Sequence, residues 1–218
     1  EGYDINSKGQ VSVVLEDRTG SITFYQVLLY NPIINNCEIT GYNAPIVIAE
    51  SGQTFSDGMT TIEPLFTTFA TMDSMGNLVY MTDFINPFSG VSIDDNGRVA
   101  YTASIDALYL SDPNGDILIA TTDALFVYDS ATGSTHKIVQ GGIDGDVIPN
   151  VVSGPDIRVG GFANDQASDQ FQSNGMSDTG GFLAVAFRDW GTLGFGGGAF
   201  TPSGGPVRGV VTVELGAF

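Results

Sequence analysis

The chain has 218 residues, a hydrophobic fraction of 42% and a formal net charge of −18. A chain this apolar can offset the entropy of ordering, which sets disorder aside as its default state. Its two lysines and five arginines stand against 25 acidic residues, so a phosphate backbone would be repelled and nucleic acid is set aside as a partner.

The first element in chain order is DINSKGQVSV, residues 4–13, where Asn6 and Gly9 make an Asn-x-x-Gly turn that leads into the β-type run VSVVLE. A second apolar run, ITFYQVLLY, follows, and then NPIINNCEIT, which carries Cys37. Because Cys37 is the only cysteine, no intrachain disulfide can form. Nothing around it signals an activated thiol, so a small buried hydrophobe is expected there. After APIVIAE, the segment IAESGQTFSDGMTT (48–61) leads to TTFATM and NLVYMT. Residues 71–80, TMDSMGNLVY, share with residues 92–101, SIDDNGRVAY, the pattern Ser/Thr-apolar-Asp-x-x-Gly-x-apolar-apolar-Tyr. Alternation after each glycine has the two-residue period of a half-buried strand.

Two further segments repeat one another. DALYLSDPNGDILIA (106–120) and DALFVYDSATGSTHKIV (123–139) both read Asp-Ala-Leu-aromatic-aliphatic, then an Asp/Gly turn, then another apolar run. They are expected to form consecutive hairpins, with glycine supplying positive φ at the turn. Residues 141–156, GGIDGDVIPNVVSGPD, are expected to connect, and they offer an internal boundary in what otherwise reads as one domain over 1–218. A looser copy of the turn, GMSDTGGFLAVAF (175–187), carries Ser177 and Gly180. The glycine-rich stretch WGTLGFGGGAFTPSGGP (190–206) is expected to be a floppy loop or, through Trp190, Phe195 and Phe200, a contact surface. The last run, VRGVVTVEL, contains Val211 and Val213 and is suited to joining another sheet at its edge.

Short runs bounded by Gly, Pro, Asn and Asp, 29 glycines and no convincing helix give an all-β fold of antiparallel hairpin repeats. Even strand spacing suggests a small or partial β-propeller, with a β-sandwich as the alternative. The Asn/Asp-x-x-Gly turns followed by alternating strands, with IAESGQTFSDGMTT between copies, resemble the bacterial exported tandem-repeat proteins with NxxG motifs and interchangeable envelope anchors. The likeness spans roughly residues 40–140. It implies an exported, envelope-associated β-repeat protein. The sequence departs from that pattern where Asp replaces Asn in copies two and three, and it shows no sorting tail.

Aspartate outnumbers glutamate, 19 to 6, and Asp is favoured where a short side chain caps its own turn or ligates calcium. An EF-hand does not fit: with Ser92 first, the twelfth residue is Ala103 instead of a bidentate acid. A more open calcium site would draw on Asp94 and Asn96, or on Asp112, Asn114 and Asp116; turn capping is the competing role. No cofactor is expected to be required, and calcium is the ion these turns would take.

A Ser-His-Asp system would have to use His136, the single histidine, which sits in a hairpin strand and reads as an ordinary strand residue. Zinc ligands are too few. Paired carboxylates remain open to a glycosidase, with Glu50, Glu63, Asp83 and Asp189 as unranked candidates.

The expected function is a non-enzymatic, exported structural or adhesive β-repeat protein of the cell surface or extracellular matrix. It would contact itself or other envelope proteins through edge strands and the aromatic loop. No apolar run reaches about 18 residues, so no membrane insertion is expected in this segment. A chain that starts at Glu1 without methionine reads as a mature or trimmed exported product. The alternative is a carbohydrate-binding module or glycoside hydrolase in which Trp190, Tyr80 and Tyr101 stack on sugar.

Overall fold

The computed structural model describes residues 2–17, 24–55, 60–63, 66–84, 86–113, 115–141, 146–148, 157–162, 174–176, 182–189 and 208–214. Every regular element among them is a β-strand, and every pairing is antiparallel.

The first sheet runs in the order β1 (Tyr3–Ile5), β2 (Val11–Asp17), β3 (Phe24–Tyr30), β6 (Ile46–Glu50). Between β3 and β6 the chain leaves the sheet as a separate hairpin, β4 (Pro32–Asn35) and β5 (Glu38–Tyr42). A second hairpin, β7 (Phe66–Met72) and β8 (Leu78–Phe84), follows. The second sheet is a meander of consecutive strands, β9 (Phe88–Ile93), β10 (Arg98–Asp112), β11 (Gly115–Asp129) and β12 (Ser134–Gln140). The two Asp-Ala-Leu repeats are consecutive hairpins here, sharing the long strand β11.

A third sheet contains β13 (Val147–Ile148), β14 (Ile157–Phe162), β15 (Asn174–Met176), β16 (Phe182–Asp189) and β17 (Arg208–Glu214). In it β16 is central, pairing with β14 and β15 on one side and β17 on the other. This sheet meets the second one where β15 approaches β9 and β14 approaches β11.

The first two sheets share one interior. Val14, Val27, Leu29 and Ile48 from the first pack with Val91, Val99, Tyr101 and Phe126 from the second. Phe55, Phe126 and Tyr101 stack in series, with centroids 4.9 and 5.4 Å apart, and Phe88 meets Tyr101 edge-on. Aromatic stacking of this kind adds about 0.5–1.5 kcal/mol per pair beyond area burial. Tyr101 is therefore a core residue, and its fully buried ring is not available to stack on a sugar.

The expected all-β, antiparallel architecture holds. The described strands build no closed barrel, and the two four-stranded sheets share a common core. The first and last described strands each pair within the chain, β1 with β2 and β17 with β16.

Candidate functional site

Three turns share one set of hydrogen bonds. At Asn6, Asp73 and Asp94 the side-chain Oδ1 accepts the backbone N–H groups two and four residues on: Lys8 and Gln10, Met75 and Asn77, Asn96 and Arg98. In each, the glycine N–H three residues on donates to the head residue's carbonyl at 3.0 Å. Gly9, Gly76 and Gly97 take φ of 78°, 81° and 78°, the left-handed region that only glycine enters without steric cost. The sequence repeat is thus a repeat of hairpin corners. The fourth copy, at Ser177 and Gly180, lies outside the described residues.

Two of these corners are bolted together. Asn6 Nδ2 donates to the Asp94 carbonyl at 2.7 Å and also to Gln10 Oε1 at 2.8 Å. Ser7 N–H donates to Asp95 Oδ1 at 2.9 Å. Asp4 Oδ2 accepts from Ser92 Oγ at 3.0 Å and from the Ile93 N–H at 2.9 Å. The bonds from Ser7, with Lys8 nearby, hold the Asp95 carboxyl below the usual range. At Asp73 the Asn77 side chain and the turn amides do the same.

Asp94 is buried, with its Oδ1 on two turn amides and its Oδ2 on Arg98 Nε at 2.8 Å. Among the described residues no group of three or more His, Cys, Asp or Glu side chains is placed to hold a metal ion. Asn96, the expected partner of Asp94, is exposed beside it. Asp112 and Asp116 flank the tip of the β10–β11 hairpin, pairing with Gly115 and Ser111. Asn114 and the side chains of Asp112 and Asp116 lie outside the described residues.

The clamp on β1 determines what the first sheet displays. With Asp4 turned to β9, its strand neighbours Tyr3 and Ile5 point to the sheet's other face. The register there gives one row Tyr3–Val13–Leu28–Val47 and a second Ile5–Val11–Tyr30. Neither row contains a charged residue. Tyr3 is 71% exposed, Ile5 55% and Val47 50%. Tyr42, from β5, meets Tyr30 edge-on with centroids 6.3 Å apart. Tyr3, Val11, Val13, Tyr30 and Tyr42 line a shallow depression of about 380 Å³. A third row, Leu15–Gln26–Glu50, marks the polar border, where Gln26 Nε2 lies 3.4 Å from Glu50 Oε2.

Sequence reasoning missed this face because it sought the contact surface in the glycine-rich stretch. Trp190, Phe195 and Phe200 lie outside the described residues. Val211 and Val213 lie on β17, opposite Val185 and Leu183 of β16. The available signal was the apolar row Val11, Val13 and Leu15 of β2, on the face opposite the core residue Val14, beside FYQVLLY of β3, which is apolar at odd and even positions alike. Such strands have two apolar faces, and only one of them meets the core.

The candidate acids fall on separate segments, and the bond from the Gly52 N–H to the Ile62 carbonyl brings those of Glu50 and Glu63 together. Glu50 ends β6, Glu63 donates its backbone N–H to the Ser104 carbonyl, Asp83 pairs with Thr67 on β7, and Asp189 ends β16. Among the described residues, the acid with an upward shift is another one, Asp123. Burial raises its carboxyl above the ordinary value of 3.8, partly opposed by a 2.8 Å hydrogen bond from Ser104 Oγ. Tyr80 is about half exposed on β8. His136 is a strand residue opposite Val127. Cys37 is exposed, not buried, because it occupies the tight β4–β5 turn with φ of 65°.

Compared with protein-family models, curated proteins and solved structures, the chain matches none. Among the described residues no helix is long and apolar enough to cross a membrane.

Proposed function

We propose that this chain is a non-enzymatic β-structural module of the cell surface or extracellular matrix that acts by adhesive contact. The observation that carries this is the uncharged outer face of the first sheet, which exposes Tyr3, Ile5 and Val47 around the buried Leu28 in a chain of net charge −18. Large contiguous apolar patches on a soluble surface mark sites of contact, because leaving them in water costs about 25 cal/mol per Å². The setting outside the cell rests on the acidic composition and on the likeness of the Asn/Asp-x-x-Gly corners to exported envelope repeats.

The test is adsorption of the full chain to an alkyl-coated surface and to purified cell-wall polymer, compared with Tyr3→Glu and Val47→Glu. Both positions are exposed, so a carboxylate there stays solvated and the fold is retained. At least tenfold weaker adsorption by both variants is expected; wild-type adsorption by both overturns the proposal.

A second reading is favoured by the three tyrosines around the depression, Tyr3, Tyr30 and Tyr42, whose rings suit stacking on sugar. Titration with soluble oligosaccharides, followed by the chemical shifts of those tyrosines, tests it. Saturable shifts lost in Tyr42→Ala support it, and unchanged spectra rule it out.

A further inference from the structure

We infer that two copies of this chain pair face to face through the outer surface of β1, β2 and β3, an inference that rests on the contact role proposed above. Charge selects the occupant. Two chains of −18 repel one another over most approaches, but the rows Tyr3–Val13–Leu28–Val47 and Ile5–Val11–Tyr30 bring no carboxylate against another. A cationic partner finds no acid within those rows to pair with.

Size agrees. At about 150–250 Å² for an aromatic side chain, the exposed parts of Tyr3, Ile5, Tyr42 and Val47, with the half-buried Val11, Val13 and Tyr30 between them, reach on the order of 600 Å². That is at the lower end of what one partner gives to a standard stable interface. A two-fold contact requires the same patch on both copies, and an uncharged sheet face satisfies this without complementary charges. The patch is also rigid in advance. Asp4, bound to Ser92 and Ile93, fixes β1 so that Tyr3 and Ile5 need no ordering on contact.

Sedimentation velocity of the full chain, across micromolar concentrations and from low to high NaCl, tests the inference. A dimer is expected whose affinity rises with salt, by roughly tenfold from low to physiological ionic strength, as the mutual repulsion is screened. Tyr3→Glu and Val47→Glu each weaken it at least tenfold, while Ser74→Glu, on the β7–β8 corner, leaves it unchanged. Far-ultraviolet circular dichroism and thermal unfolding confirm that each variant is folded, and Tyr3→Ser serves as a milder substitute with the same expected direction. A monomer under all conditions, or a dimer indifferent to both glutamates, overturns the pairing. If adsorption to foreign surfaces falls in those variants while the wild type stays monomeric, the pairing fails and the contact role stands. If adsorption is equally indifferent, both fail.

Discussion

Asn6 donates through Nδ2 to the backbone carbonyl of Asp94 at 2.7 Å, joining the heads of two corners that lie 88 residues apart in sequence. This explains why the first copy of the repeat has Asn where the second and third have Asp. All three heads must accept turn amides, which either side chain does, but only Asn6 must also donate. Asn6→Asp keeps the cap and sets a carboxylate oxygen against a carbonyl. A loss of about 2–3 kcal/mol in urea unfolding at neutral pH is expected. The loss should shrink in acid, where the protonated carboxyl can donate in place of the amide.

Asp94 supports the same joint from the other side. Its removal strips two turn amides of their acceptor and leaves Arg98, whose side chain is 11% exposed, without its carboxylate. Breaking a buried pair from one side costs about 3–5 kcal/mol, and Asp94→Ala should fall in that range. Asp94→Asn retains the Oδ1 cap and loses the ion pair, so it should cost less than the alanine. Asp94→Ala combined with Arg98→Met should recover part of the loss, because no charge is then left buried. Guanidinium-induced unfolding of the four proteins checks the order.

These corners were legible in the sequence because their chemistry is local. An acceptor, two intervening residues and a glycine specify the turn whatever lies around it, and the strands Val11–Asp17, Phe66–Met72 and Arg208–Glu214 were visible as apolar runs. What the corners dock onto was not legible. The bond from Asn6 to Asp94 depends on two sheets meeting edge to edge, which no spacing encodes. Tyr80 and Tyr101 hold equivalent places in their repeats, yet one is about half exposed and the other fully buried, since only β10 lies over the core. The β4–β5 hairpin was overlooked because its turn residues, Asn36 and Cys37, lack the glycine that marks such turns.

That turn carries a measurable cost. Asn36 and Cys37 have φ of 51° and 65°, as a two-residue hairpin turn of the mirror-image type requires. Asn tolerates this conformation, whereas an ordinary L-residue such as Cys loses roughly 1–2 kcal/mol in it. Cys37→Gly should raise stability by about 1 kcal/mol, the difference being reduced by glycine's greater freedom when unfolded. Thermal unfolding under reducing conditions measures it, with Cys37→Ala as the control that gains nothing.

Asp123 gives the fold a dependence on pH opposite in sign to that of the corner aspartates. Burial raises its folded pKa above the ordinary 3.8, so the folded chain holds the proton more tightly than the unfolded chain. Its contribution is therefore fully present below pH 3.8 and is lost as pH rises through the folded pKa. Asp73 and Asp95 are lowered, and their contributions are present above 3.8 and lost as pH falls through their folded values. Whole-protein stability mixes these slopes, so the test is a difference. Asp123→Asn keeps an acceptor for Ser104 Oγ and removes the titration. Wild-type stability minus that of the variant should fall as pH rises from 3.8 and then level off above the folded pKa of Asp123. A difference that stays flat, or that grows with pH, would mean that Asp123 ionises in the folded chain as easily as in water.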